Sequence, residues 1–227
     1  MQPEQEIKDA ASAIISFTDS YAQNMEGIQN EQQESEPTSS LIYIVSYLQQ
    51  LQNQISDKNA CKQMIKIPKL LKSLVALSLY KIGTHIDVNQ QRLELRSWSR
   101  DFLVEIQCYA DASVQTELVN KGYGRMLFIS ISTAGGIGEE QDQEIYNELN
   151  RISRFLRSLP EGRNYRQPSF QPLPLLARRS EEQMEEEGAD EEIEAQMNNK
   201  RMNGIIKAWA NYVKAATLNR FIHRRRI

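Results

Sequence analysis

The stretch Leu93-Glu94-Leu95-Arg96-Ser97-Trp98-Ser99-Arg100-Asp101-Phe102-Leu103-Val104-Glu105-Ile106-Gln107-Cys108-Tyr109-Ala110 decides the fold class. Leu95, Trp98, Phe102, Ile106 and Tyr109 recur every three or four residues, flanked by Leu103 and Ala110, which places them on one stripe of an amphipathic helix. Two other stretches have the same build. One carries Leu41, Ile44, Val45, Leu48, Leu51 and Ile55, the other Ile145, Leu149, Ile152, Leu156 and Leu159. The three are spaced roughly fifty residues apart, close to the period of stacked helical repeats. Between them lie shorter apolar segments, Ile67-Pro68-Lys69-Leu70-Leu71 and Gly122-Tyr123-Gly124-Arg125-Met126-Leu127.

Working outward, residues 4 to 26 read as a first helix, with Ile7, Ala10, Ile14, Phe17, Tyr21 and Met25 on one stripe and Gly27 ending it. Asn30 to Ser35 is rich in Gln and Glu without a period and reads as a solvated linker. Thr38-Ser39-Ser40 offers N-caps to the helix beginning near Leu41. Asp57 suits the cap of a short helix through Met64 and Ile65, and Pro68 the first turn of the next, which buries Leu70, Leu71, Leu74 and Val75. A polar loop is expected from Gly83 through Asn89. Val114, Leu118 and Val119 mark a further short helix ending at Gly122. The run Met126-Leu127-Phe128-Ile129 with Ile131 also fits a strand, but no other segment offers a pairing partner, so a helix is expected there. Gly135-Gly136 breaks it, and Pro160 with Gly162 stops the last long helix.

Long and short helices alternating at this period predict an all-α protein, a short helical solenoid with an N-terminal helix and a C-terminal helical tail, which the resemblance described next implies is a right-handed helical solenoid. Cys61 to Leu159 resembles armadillo/HEAT-type helical repeats. Ile67-Pro68-Lys69-Leu70-Leu71-Lys72-Ser73-Leu74 is similar to the junction in which Ile-Pro opens a helix above a Leu pair, and Leu118 to Leu127 is similar to its glycine-containing form. Trp98 to Ile106 resembles the long inner helix that follows. The resemblance implies a concave surface for a protein partner, on which the family usually carries an Asn that clamps an extended peptide. Gln50, Glu105 and Arg151 stand at those places here. Gln50 keeps an amide for a peptide bond, whereas Glu105 and Arg151 impose charge preferences. The expected organisation is an N-terminal helix and linker (1–36), an armadillo-like domain (37–162), a Pro-containing linker (163–180) and an acidic, then basic, helical tail (181–227).

Residues 163 to 177 hold Pro168, Pro172 and Pro174 and are expected as an extended arm, with Ser180 and Gln183 as a capping box for the next helix. Glu181 to Glu194 is acidic; from Lys200 to Ile227 no carboxylate side chain occurs, and Lys207, Lys214, Arg220, Arg224, Arg225 and Arg226 are prominent among the cations. Met202, Ile206, Trp209, Val213 and Ala216 make an apolar stripe within this basic segment. Three readings stay open: the two segments pair with each other, the basic helix contacts nucleic acid with Trp209, Tyr212 and Phe221, or it lies on an anionic membrane or in a partner's groove.

Catalytic and cofactor chemistry finds little footing. Thr133-Ala134-Gly135-Gly136-Ile137-Gly138 lacks phosphate-loop spacing, and Glu139 and Glu140 would repel phosphate at the following helix start. His85 and His223 are the only histidines, neither at metal-ligand spacing from other ligands. Cys61 and Cys108 are too few for a disulfide framework and read as reduced packing residues. The acidic Met1 to Glu6 has no apolar core, so no secretory signal is expected, and the cytoplasm or nucleus is the expected compartment. The expected function is a non-catalytic protein–protein interaction scaffold without cofactor, metal or small-molecule substrate, contacting its partner near Gln50, Trp98, Glu105 and Arg151. The alternative is a nucleic-acid-binding accessory protein acting through the basic C-terminal helix.

Overall fold

The structure, a computed structural model, describes residues 3–27, 38–55, 57–80, 86–132, 142–164 and 168–222. The loop containing His85, the Gly135-Gly136 segment, His223 and Arg224 to Arg226 lie outside the described residues. Among those described there are eleven α-helices, and the one extended pairing is an isolated antiparallel bridge between Arg163 and Phe170. The chain divides into two compact units, Met1–Ala110 and Asp111–Ile227. The division falls inside the stretch 37–162.

The first unit holds α1 (Pro3–Gly27), α2 (Thr38–Gln54), α3 (Lys58–Lys66), α4 (Leu70–Ser78) and α5 (Ile86–Tyr109). Most residues of the predicted stripes are buried, while Phe17, Tyr21, Trp98 and Tyr109 are half-buried. Ile7, Ala10 and Ile14 of α1, Leu41, Ile44, Val45, Leu48 and Leu51 of α2, and Leu95, Phe102 and Ile106 of α5 lose nearly all their solvent contact. The helices α2 and α4 each pack on both α1 and α5, while α3 touches α1, α4 and α5. Two polar links tie α1 to α4: the Thr18 and Ser73 hydroxyls hydrogen-bond at 2.7 Å inside the packed face, and Lys69 pairs with Asp19 at 2.9 Å. At the start of α3 the Ala60 N–H donates to Asp57 Oδ2 at 3.3 Å, which fits the expected cap. Two boundaries differ from expectation. Pro68 lies in the turn before α4, whose N-cap is Lys69 at φ 69°, and α5 begins at Ile86 inside the expected polar loop.

The second unit holds α6 (Ala112–Asn120), α7 (Tyr123–Ser132), α8 (Asp142–Glu161), α9 (Pro174–Glu186), α10 (Ala189–Gln196) and α11 (Ile205–Ile222), the last preceded by a 3-10 turn at Met202–Gly204. The Met126 to Ile131 run is helical and buries Met126, Leu127, Phe128 and Ile131. Asp111 caps α6 by accepting from the Val114 N–H at 3.1 Å, and Asp111→Ala is expected to remove about 1 kcal/mol of stability by urea denaturation. A loss under a few tenths would mean the cap is redundant. At the other end of α6, Gly122 turns the chain at φ +87° and its N–H donates to the Val119 carbonyl.

The expected arm after Pro160 is shorter than its prolines suggested. The last turn of α8 includes Pro160, and α9 already begins at Pro174, a first-turn position where the missing N–H would have had no helical partner. Ser180 is therefore not a cap: it sits mid-helix in α9 and its hydroxyl donates to the Leu176 carbonyl at 2.9 Å. Residues 181–222 fold into the second unit, with α11 lying along α8.

Helix lengths follow a rhythm. The successions α3-α4-α5, α6-α7-α8 and α9-α10-α11 run 9-9-24, 9-10-20 and 13-8-18 residues, two short helices before each long one. Packing partners are often three apart in order: α1 with α4 and α2 with α5 in the first unit, α6 with α9, α7 with α10 and α8 with α11 in the second.

Candidate functional site

The α11 helix is apolar on two sides. Ile206, Ala210 and Val213 are fully buried, as their three- and four-residue spacing requires. On the outward side Ile205 is 43% and Tyr212 40% exposed, with Ala208 and Ala215 exposed in the same row. Trp209 lies half-buried at the edge of that row.

Against this edge α8 sets Tyr146 and Arg157. The Tyr146 and Trp209 rings meet edge-on at 5.9 Å, and Trp209 and Tyr212 edge-on at 5.6 Å. The Arg157 guanidinium lies 5.3 Å from the centre of the Tyr212 ring, and its Nε and Nη2 donate to the two Glu161 carboxylate oxygens at 3.2 and 3.3 Å. Tyr146–Trp209–Tyr212–Arg157 is thus a continuous row of rings closed by a cation. Edge-to-face pairs and cation–π contact hold such rings in fixed orientations while leaving their surfaces partly open. Chemically this is a rigid amphipathic platform for apolar groups beside an arginine–glutamate pair, and it has no nucleophile.

The sequence-predicted residues are distributed differently. Gln50 on α2 and Trp98 and Glu105 on α5 belong to the first unit, each half-buried. Trp98 and Glu105 are seven apart and share one face of α5. In the second unit Arg151 is only 7% exposed, and its guanidinium holds Glu148, fully buried at 2.6 Å, and Glu144 at 2.8 Å. Its charge is spent inside α8.

The basic segment divides too. Lys207 is exposed, whereas Lys214 bridges two carboxylates of α10, Glu194 at 2.8 Å and Asp190 at 3.1 Å. Here the acidic and basic segments do pair. The hydrogen bond to Glu194 holds the Lys214 ammonium above its ordinary value of 10.5, with Asp190 adding to it against partial burial. Because the folded value is raised, the link contributes in full at neutral pH and is lost only as pH climbs past the ordinary lysine range. Arg220 belongs to the last turns of α11.

Sequence reasoning named Trp209 and Tyr212 but missed Tyr146 and Arg157. Their signal is positional: they sit eleven apart, near-integral turns of a helix, beside rather than on the buried stripe of α8. A second feature escaped it. Arg92, Arg96 and Arg100 line one side of α5 at four-residue spacing and all are buried, with Arg92 5.9 Å from the Tyr80 ring centre and Arg100 Nε donating to the Ser78 carbonyl. Guanidinium is the cation best suited to such interior use, because its flat faces stack on rings and its fork bonds carbonyls.

Among the described residues no group of three or more His, Cys, Asp and Glu side chains could hold a metal ion, and no helix is long and apolar enough to cross a membrane. Cys61 is buried and Cys108 half-buried, both as free thiols. Comparison with protein-family models, curated proteins and solved structures finds no match.

Proposed function

We propose that this chain is a non-catalytic protein–protein interaction scaffold built from armadillo-like helical repeats. Support for the repeats comes from the threefold succession of two short helices and a long one, and from the pairing of helices three apart within each unit. The long helices α2, α5, α8 and α11 are then the equivalent recognition elements, and Gln50, Trp98 and Glu105 take the partner-facing positions on α2 and α5. Arg151 has a structural role instead, since two carboxylates of its own helix hold it.

The observation that carries the binding role is the open row of Tyr146, Trp209, Tyr212 and Arg157. Aromatic and arginine side chains fixed by their neighbours and left partly solvated are the composition of interaction hot spots. Affinity capture from the native cell tests it, comparing the full chain with Tyr212→Ala and with Glu105→Arg. The expected result is a defined set of proteins retained by the wild-type chain and lost with at least one variant of unchanged melting temperature. Identical capture by all three chains counts against the reading. RNA or DNA binding with a steep salt slope that Lys207→Glu with Arg220→Glu removes would replace it by the nucleic-acid reading.

A further inference from the structure

We infer that the outward side of α11 receives an amphipathic helix of a partner protein whose apolar stripe is bordered by carboxylates. The inference rests on the scaffold reading and specifies its occupant.

The spacing points to a helix. Ile205, Ala208, Tyr212 and Ala215 follow three-four-three steps, the interval at which a second helix meets the same face turn after turn. All four are exposed, although the opposite face of α11 already supplies its share of the core. A solvated helix face is ordinarily polar, yet this second apolar line stays partly open, with Tyr212 meeting Trp209 and Arg157 at its edge. Its sizes also suit a helix: Ala208 and Ala215 leave recesses for a close backbone, and Ile205 and Tyr212 stand as projections between them. From 205 to 215 the line runs about 15 Å, close to three turns.

Charge selects the occupant. No carboxylate side chain occurs from Ala195 to the end of the sequence. Lys207 and Asn211 border the apolar line on one edge, and Arg157, reaching over Tyr212, borders it on the other. A second copy of α11 carries no carboxylate of its own to meet Lys207, which disfavours self-pairing. A partner with Glu or Asp beside its apolar stripe meets Lys207 on one border and, on the other, Arg157, whose charge it would share with Glu161. The chain shows the same chemistry on the Lys214 edge of α11, where Asp190 and Glu194, one turn apart on α10, both reach that lysine. That acidic helix is committed there, so the outward line requires carboxylates from elsewhere.

The test uses the full chain with two synthetic helical peptides of about three heptads, identical in their apolar stripe and carrying either Glu or Lys at the flanking positions. Fluorescence anisotropy at low and physiological salt reads binding, with anionic phospholipid vesicles and single-stranded RNA as further probes and sedimentation reading self-association. The Glu-flanked peptide is expected to bind at least about tenfold tighter than the Lys-flanked one, and Lys207→Glu to shrink that ratio. Ala208→Trp, an exposed position filled by bulk, is expected to weaken binding about tenfold with an unchanged melting temperature. Equal binding of both peptides, or binding indifferent to Ala208→Trp, overturns the assignment. So do vesicle binding, RNA binding or dimerisation as the property that Ala208→Trp abolishes. If native partners are still captured while the Glu-flanked peptide fails, the scaffold reading stands and the occupant of α11 is wrong; if capture fails as well, both fall.

Discussion

Arg151→Ala is expected to remove about 3–5 kcal/mol of stability from the second unit, because it takes the guanidinium away from a carboxylate in the interior. Glu148 is fully buried in α8 and receives Arg151 Nη1 at 2.6 Å, one helical turn away. Glu144, partly exposed, shares the same guanidinium at 2.8 Å and can turn toward water when it is lost. Glu148 has no such exit. Removing both charges tells a different story: Glu148→Leu with Arg151→Met keeps similar volumes and needs no counter-ion. The double variant should therefore lie within roughly 1–2 kcal/mol of wild type, and either sign is compatible with the physics of buried pairs. Urea denaturation of wild type, Arg151→Ala, Arg151→Met, Glu148→Leu and the double variant measures both numbers. A single-variant loss below about 1 kcal/mol would show that the pair is solvated and that burial does not set its worth.

Gly162→Ala is expected to cost roughly 3–5 kcal/mol, the sum of a left-handed backbone penalty and a collision. Gly162 has φ +70°, where a side chain is strained, and an added Cβ would lie 2.7 Å from the Phe170 carbonyl oxygen and 2.9 Å from the Pro172 nitrogen. Those are backbone atoms held by the Arg163–Phe170 bridge and by the Leu173 N–H, which donates to the Leu159 carbonyl at 2.7 Å. They cannot swing aside as a side-chain tip would. Gly122 is the internal control: its φ is +87°, yet nothing lies within 4 Å of a Cβ built there. Gly122→Ala should cost only about 1–2 kcal/mol, the conformational part alone. Thermal denaturation of the two variants side by side separates the contributions. Equal losses would mean that the segment after α8 yields and that the close approach does not matter.

These variants bear on function through position. Gly162 lets the chain turn back beneath α8, so that α9 and α10 complete the unit in which α11 packs along α8. Arg151 and Glu148 occupy the interior side of α8 while Tyr146 and Arg157 reach the edge shared with α11. A variant that loosens this helix is expected to lose the open aromatic row with it, so binding measurements need the stability of each variant alongside.

The apolar period was sufficient for most of the helices. Ile145, Leu149, Ile152, Leu156 and Leu159 all lie in the interior, as do Leu95, Phe102 and Ile106. A helix repeats its orientation every 3.6 residues, and burying such a stripe is the main reason it forms in water, so the pattern survives whatever it packs against. The expected cap at Asp57 is local as well, a carboxylate accepting from a backbone N–H three residues on, and Asp111 repeats the device at α6 without having been singled out from the sequence. Proline is less decisive. Pro174 opens α9 instead of extending the arm, since its effect depends on where in a helix it falls.

What the amino-acid order determined by itself is therefore the helical class, most of the buried stripes and the sign of each charged segment, because these follow from interactions within a few turns of one helix. Tertiary structure alone decided which charges go inside. Arg92, Arg96, Arg100, Arg151 and Glu148 are indistinguishable in sequence from solvated residues, and a charge is stable in the interior only through counter-charges, carbonyls or rings contributed from around it. It also decided the two faces of α11. Ile206 and Tyr212 lie on equally regular apolar lines, and only the arrival of α8 and α10 on one side selects which line is core and which is left open.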